Sequence, residues 1–132
     1  MNTIKGTVIS INSANGVSEV EVKTPLGSIY AVVLESPGEA EFVKQNKQVK
    51  CIFKETEVLL LREKVSQINL FKGTIRSLEK GRVLSMLVVD CKGQEIRVML
   101  TSRQVDTLGL SQGTKVYMLL SPMHVILEAE DE

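Results

Sequence analysis

The residue types that most often carry chemistry are sparse in this chain. Cys51 and Cys91 are its only cysteines and His124 is its only histidine. A zinc site needs about four ligands at short, regular spacings, and none of these three residues has a second ligand at such a spacing. The cysteines therefore read as reduced, half-buried small hydrophobes. His124, set among Met123, Val125 and Ile126, reads as a strand residue and not as a metal ligand. No GxSxG elbow, P-loop or GxGxxG turn occurs. With no nucleophile–base pair to name, the chain is not expected to be an enzyme.

Charge narrows the partners further. Sixteen Lys and Arg balance sixteen Asp and Glu, for a formal net charge of zero. A general nucleic-acid binder needs a basic field to exchange for counterions, and two Tyr, three Phe and no Trp offer few platforms for base stacking. Lys72, Arg76, Lys80 and Arg82 make a local basic stretch, which reads as a solvated strand face and loop. No apolar run approaches the ~20 residues of a membrane span, and no basic segment followed by a long apolar one opens the chain. The expectation is a soluble, cytoplasmic protein without nucleic-acid or membrane partners. Its 132 residues allow one ordinary domain or two very small ones.

A repeat decides between these. Asn2-Thr3-Ile4-Lys5-Gly6-Thr7-Val8-Ile9-Ser10 matches Asn69-Leu70-Phe71-Lys72-Gly73-Thr74-Ile75-Arg76-Ser77, an offset of 67 residues. Without a gap, the same offset pairs Ser18 with Ser85, Val22 with Val89, Ile29 with Ile96, Gln45 with Gln112, Val49 with Val116 and Val58 with Val125. The chain is a tandem duplication with its joint near Arg62–Gln67, giving repeats at 1–63 and 64–132.

Each repeat reads as mostly strand, rich in Val, Ile and Thr, with turn residues at intervals of roughly ten. The expected strands of the first are Thr3–Ile11, Val17–Lys23, Ser28–Leu34, Gln48–Phe53 and Glu57–Leu61. Thr24-Pro25-Leu26-Gly27 and its counterpart Asp90-Cys91-Lys92-Gly93 are turns. One short helix is expected per repeat. In the first, Ser36-Pro37-Gly38-Glu39 has the form of an N-cap, a first-turn proline and a capping box. In the second, Thr101 or Ser102 caps a helix that Gly109 ends. The fold class is all-β: two tandem OB-like five-stranded small barrels. Units this small bury little apolar area alone, so the copies are expected to pack together, with strand exchange between them.

These residues carry a resemblance. Asn-x-x-Lys-Gly-x-[Val/Ile], Gly-x-Val, a hairpin, Leu-x-Leu-x-x-Gly-x-x-Val and a closing Val-Ile-Leu resemble the Mop repeat of the molbindins, also called the TOBE domain. The second copy carries it best, in Ser66-Gln67-Ile68-Asn69-Leu70-Phe71-Lys72-Gly73, Gly81-Arg82-Val83, Thr101, Leu108-Gly109-Leu110, Gly113, Val116 and Val125-Ile126-Leu127. Two copies and nothing else resemble the free-standing di-Mop molbindins. The resemblance implies cytoplasmic binding of molybdate or tungstate, no organic cofactor, no cationic metal and a homotrimer.

Three features departing from that pattern bear on the site. The opening Ser-Ala-Arg-Asn survives as Ser66-Gln67-Ile68-Asn69, and in the first copy only Asn2 remains of it. The closing Lys-Ala-Ser-x-Val becomes Lys54-Glu55-Thr56-Glu57-Val58 in copy one and Ser121-Pro122-Met123-His124-Val125 in copy two. The Thr-x-x-Ser at the helix start reads Thr101-Ser102-Arg103-Gln104 in copy two and Leu34-Glu35-Ser36-Pro37 in copy one.

Molybdate is a tetrahedral dianion with acceptor oxygens only, so its pocket must offer donors: backbone N–H groups, hydroxyls, amides and a lysine. The resemblance implies a site where an opening segment meets a closing segment. Carried over, this is Lys54 and Thr56 with Ser66 and Asn69. Lys54 would supply charge, Ser66 and Thr56 would grip oxygens, and Asn69 would bind or brace the loop. Asn2 with Ser121 and Met123 is the complementary pairing without its lysine, and Thr101 and Ser102 are further secondary candidates. The plain alternative is that Lys54 is a solvated strand-end lysine, Ser66 and Asn69 are linker and turn residues, and Thr56 is an exposed β-residue. Glu55 and Glu57 weigh on that side, because a carboxylate near a dianion costs several kcal/mol at low dielectric. Strand alternation would turn Thr56 away from both.

Three functions compete at this stage. The first is an oxyanion-binding protein for storage, homeostasis or sensing, in which any regulatory output passes through a protein partner. The second is an oligomerising interaction module of the same fold that has lost oxyanion binding. The third, an OB-type nucleic-acid module, is disfavoured by charge and by the few aromatics.

Overall fold

The computed structural model describes residues 1–35, 38, 40 and 43–130. Ten strands follow in chain order: β1 (Asn2–Ala14), β2 (Val17–Thr24), β3 (Gly27–Val33), β4 (Gln48–Phe53), β5 (Val58–Leu61), β6 (Leu70–Lys80), β7 (Leu84–Cys91), β8 (Gln94–Thr101), β9 (Lys115–Leu120) and β10 (Ile126–Ala129). Among the described residues one α-helix, α1 (Ser102–Leu108), is present and follows β8. Two single 3-10 turns, Glu55–Glu57 and Pro122–His124, precede β5 and β10. The capped helix start expected in the first repeat rests on Ser36, Pro37 and Glu39, which lie outside the described residues.

The strands form two five-stranded antiparallel sheets, ordered β10-β4-β1-β2-β3 and β5-β9-β6-β7-β8. The last strand of each repeat is exchanged. β5, from the first repeat, pairs with β9 from Val58↔Leu120 to Leu61↔Tyr117. β10, from the second, pairs with β4 from Ile126↔Ile52 to Ala129↔Val49. The compact units consequently differ from the sequence repeats at 1–63 and 64–132. One comprises Met1 with Lys54–Leu120, and the other Asn2–Phe53 with Ser121–Glu132.

Within each unit the sheet curls until its edges approach. The Glu55–Glu57 turn and β5 come against β8, and the Pro122–His124 turn and β10 come against β3. Alternation fills each interior: Val20 and Val22 with Ile29 and Ala31 in one unit, Leu87 and Val89 with Ile96 and Val98 in the other, all essentially without solvent exposure. A one-residue slip would turn these side chains to water, so burial fixes the register.

The Lys-Gly pair of the repeat has a physical reason. A Cβ on Gly6 would lie 2.5 Å from the Lys23 carbonyl oxygen, and one on Gly73 would lie 2.6 Å from Val89 Cγ1. Gly6 lets β1 press against β2, and Gly73 lets β6 press against β7. A register shift follows at once, between Val8 and Ser10 and between Ile75 and Ser77, as expected of a bulge that coils a strand. The β1–β2 hairpin turns through Asn15 and Gly16 at φ 54° and 75°, the left-handed pair that a two-residue hairpin requires.

Cys51 and Cys91 are free and buried, more deeply than the half-burial expected from the sequence. Burial pushes the Cys51 thiol up to about 12 and raises that of Cys91 as well. Among the described residues no group of three or more His, Cys, Asp or Glu could hold a metal ion, and no helix is long and apolar enough to cross a membrane.

Candidate functional site

The end of β9 organises the site. Leu120 pairs with Val58 on one side, and on the other its N–H donates to the Asn69 carbonyl at 3.1 Å. The Lys54–Glu57 segment enters β5 on the first side and Asn69 enters β6 on the second. Neighbouring strands lie about 4.8 Å apart, so the two segments flank the β9 end with backbones roughly 10 Å apart. Lys54, Thr56 and Asn69 therefore gather at one end of one sheet.

The closing segment is a turn and not a strand. Its backbone folds back so that the Glu57 N–H donates to the Lys54 carbonyl at 3.1 Å, and β5 begins only at Val58. The expectation that strand alternation separates Thr56 from the two glutamates is thus corrected: a 3-10 turn advances about 120° per residue. Exposure makes the separation instead, since Lys54 and Thr56 are exposed while Glu55 and Glu57 are half-buried. Glu55 pairs with the amino group of Met1. The hydrogen bond from that amine, with smaller help from the Arg97 charge, holds its carboxyl below the usual range. Lys54 forms no ion pair among the described residues and caps the turn with backbone only, which leaves its ammonium to solvent.

Asn69 and Ser66 play different parts. Asn69 is 3% exposed and sits at φ 53°, a left-handed conformation that Asn tolerates better than most residues. Its carbonyl anchors β9, which fits a brace. Ser66 is exposed on the connection from β5 back to Asn69. Arg62 secures the start of that connection, donating to the Leu108 carbonyl at 2.7 Å at the C-terminus of α1, where a cation is favoured. Sequence reasoning missed Arg62 because the joint has no counterpart in the repeat.

The other unit repeats the geometry with different chemistry. Asn2, 5% exposed, pairs with Phe53 at the end of β4, and β10 enters beside the same strand. Ser121 takes the place of Lys54, and its hydroxyl accepts the Met123 N–H at 3.2 Å. Met123, in the place of Thr56, is exposed and offers no strong donor.

The helix start separates the last two candidates. Thr101 caps α1 by accepting the Gln104 N–H at 3.1 Å, while Gln104 Oε1 accepts the Thr101 N–H at 2.9 Å. Ser102 points inward: its hydroxyl donates to the Gly81 carbonyl at 2.6 Å and lies 2.8 Å from Ser85 Oγ. The Ser102 proton thus holds the β6–β7 connection, and only Thr101 faces solvent.

Residues 66–127 match the TOBE domain. The likeness to the Mop/TOBE family therefore lies in the second repeat. Over its whole length the fold is similar to that of the cytoplasmic molybdate-binding protein ModG, in a crystal form grown from PEG with molybdate bound. That match has a TM-score of 0.89 and 29% sequence identity, covering 98% of this chain and 96% of ModG. No curated protein sequence matches the chain. The matched TOBE segment ends at Leu127, inside β10, a strand that folds into the other compact unit.

Proposed function

We propose that the chain binds a tetrahedral oxyanion, molybdate or tungstate, without transforming it. The observation that carries this reading is the full-length similarity to molybdate-bound ModG. The site end of the β5-β9-β6 sheet supports it, with an exposed lysine, two exposed hydroxyl residues and half-buried carboxylates. Lys54 supplies charge, Thr56 and Ser66 supply hydroxyl donors, and Asn69 braces the backbone. Every hydrogen bond to the dianion is charge-assisted and about twice as strong as a neutral one, and Lys54 alone among these donors adds a positive charge of its own. The Asn2 and Ser121 end, without a lysine, binds more weakly, and Thr101 contributes at most a peripheral donor.

The physiological role that fits such a binding protein is storage, homeostasis or sensing in the cytoplasm. We propose that it works as a homotrimer, with any regulatory output passing through a protein partner. Calorimetric titration with molybdate, tungstate and sulfate tests the reading. Heat with the first two and little with sulfate is expected. No heat for any of the three at millimolar ligand would leave an interaction module that has lost its ligand, a role compatible with the altered closing segment of the second repeat.

A further inference from the structure

The closing turn at the β9 end has a liability that its counterpart lacks. Glu55 and Glu57 flank Thr56, so a dianion held there has two carboxylates as neighbours. The equivalent turn, 67 residues further on, has Pro122 and His124 at those positions. Both glutamates are half-buried, but half-burial does not remove their charge, and like charges repel over several ångströms. A dianion site on this turn therefore calls for a cation on the carboxylate side, apart from the one that binds the ligand.

The fold supplies one at Arg97. The Glu55–Glu57 turn packs against β8, as the Pro122–His124 turn packs against β3. Arg97 lies in the middle of β8, opposite Val88. Its neighbours Ile96 and Val98 face the core, so alternation sends the arginine to the outer face, where it is exposed. Its charge reaches Glu55: that carboxyl is held below the usual range first by the hydrogen bond from the Met1 amine and to a smaller extent by Arg97. Glu95, the other charged residue of β8, is paired with Arg76. In the first repeat the position of Arg97 is held by Tyr30, on the strand against which the carboxylate-free turn packs. The arginine and the two glutamates thus occur together in one unit and are absent together from the other.

We propose that Arg97 is a positioning residue for the oxyanion: it offsets the negative charge of Glu55 and Glu57, so that the Lys54 and Thr56 end of the turn accepts a dianion. A guanidinium suits the task, because it stays charged at every physiological pH. Arg97 acts through the turn and not on the ligand, so its effect is electrostatic and is screened by salt. Molybdate and tungstate carry the same charge and are helped by the same factor. This inference deepens the oxyanion reading given above and rests on it.

Calorimetric titration of the full chain with molybdate, at roughly 0.05 M and 0.5 M salt, tests it. The proteins are the wild type, Arg97→Gln, Arg97→Lys, and Arg97→Gln combined with Glu55→Gln and Glu57→Gln. At low salt Arg97→Gln should weaken binding by about fivefold, and at high salt by less than about twofold. Arg97→Lys, which keeps the charge, should stay within about twofold of the wild type at both, and so should the triple variant, which has no carboxylates left to offset. Circular dichroism should show the single variants folded, since Arg97 is exposed; should the triple variant not fold, the salt dependence decides. Equal affinity in Arg97→Gln and wild type, or a loss that neither salt nor removal of the glutamates reduces, would overturn this role and leave the oxyanion reading intact. A wild type that gives no heat with molybdate at either salt concentration would overturn both.

Discussion

Two ends of two sheets, built alike, differ in what they offer a ligand. At the end of β9 the closing turn carries Lys54 and Thr56; at the end of β4 the same turn carries Ser121 and Met123. The frames agree closely: a 3-10 turn before the exchanged strand, a buried asparagine before or at the start of the first strand, and a close-packed glycine four residues after it. The duplication thus kept the backbone frame and let the side chains at its open end diverge. Packing constrains the frame, because buried side chains that shift by one residue lose their core. Solvent-facing positions carry no such penalty, so only a ligand or a partner would hold them.

That contrast can be broken. Installing the polar turn in the second unit, with Ser121→Lys and Met123→Thr, should strengthen oxyanion binding there by roughly tenfold to a hundredfold, the worth of a charge-assisted hydrogen bond of about 1.5–3 kcal/mol. Calorimetry would read it as added stoichiometry at micromolar protein. An unchanged isotherm would mean that the frame at the β4 end does not support a site.

The frame itself can be tested for equivalence. Gly6→Ala and Gly73→Ala push a Cβ into the neighbouring strand, β2 and β7 respectively, and overpacking of this kind costs about 1–3 kcal/mol. Chemical denaturation should show similar losses for the two. A much smaller loss at one position would show that the coiling of the two sheets has different origins.

Smaller effects sharpen the comparison. Thr56→Val removes one hydroxyl donor and should weaken oxyanion binding by a factor of about ten, the lower end of the range for a hydrogen bond to a charged acceptor. Ser102→Ala should leave oxyanion affinity unaltered and lower stability, because its proton serves the Gly81 carbonyl. Finally, a thiol reagent at pH 8 should label neither cysteine in the folded chain. The thiolate is the reactive form, burial holds Cys51 in the thiol form up to about 12, and Cys91 is raised in the same direction. Mass spectrometry of the labelled protein checks this.

Much of the architecture was legible in the sequence, for reasons visible in particular residues. β4 was expected at Gln48–Phe53 and lies there, because alternation and the flanking polar segments bound it on both sides. β1 runs on to Ala14, beyond the expected Ile11. Asn12, Ser13 and Ala14 have little strand propensity, and they are held by pairing with the start of β2 across the Asn15-Gly16 turn. The partners of β5 and β10 could not be assigned from the sequence alone. Val58-Leu59-Leu60 and Val125-Ile126-Leu127 have the same burial pattern, so either segment satisfies either sheet. The closing turn was read as strand because three residues are too few for periodicity to separate the two.

The candidate site was legible only through the repeat and the family resemblance. Lys54, Thr56 and Asn69 form no motif that chemistry alone would single out, and they flank one end of one sheet because β9 stands between their strands. Ser66 lies on the exposed joint, where no pattern constrains the chain.

The central claim is that the β9 end binds the oxyanion through Lys54. Molybdate titration of the wild type and of Lys54→Ala by calorimetry, at matched state of assembly, tests it most directly. A loss of affinity of roughly tenfold or more in the variant, with thermal stability unchanged at this exposed position, is the predicted result. Equal affinity in the two proteins would contradict it.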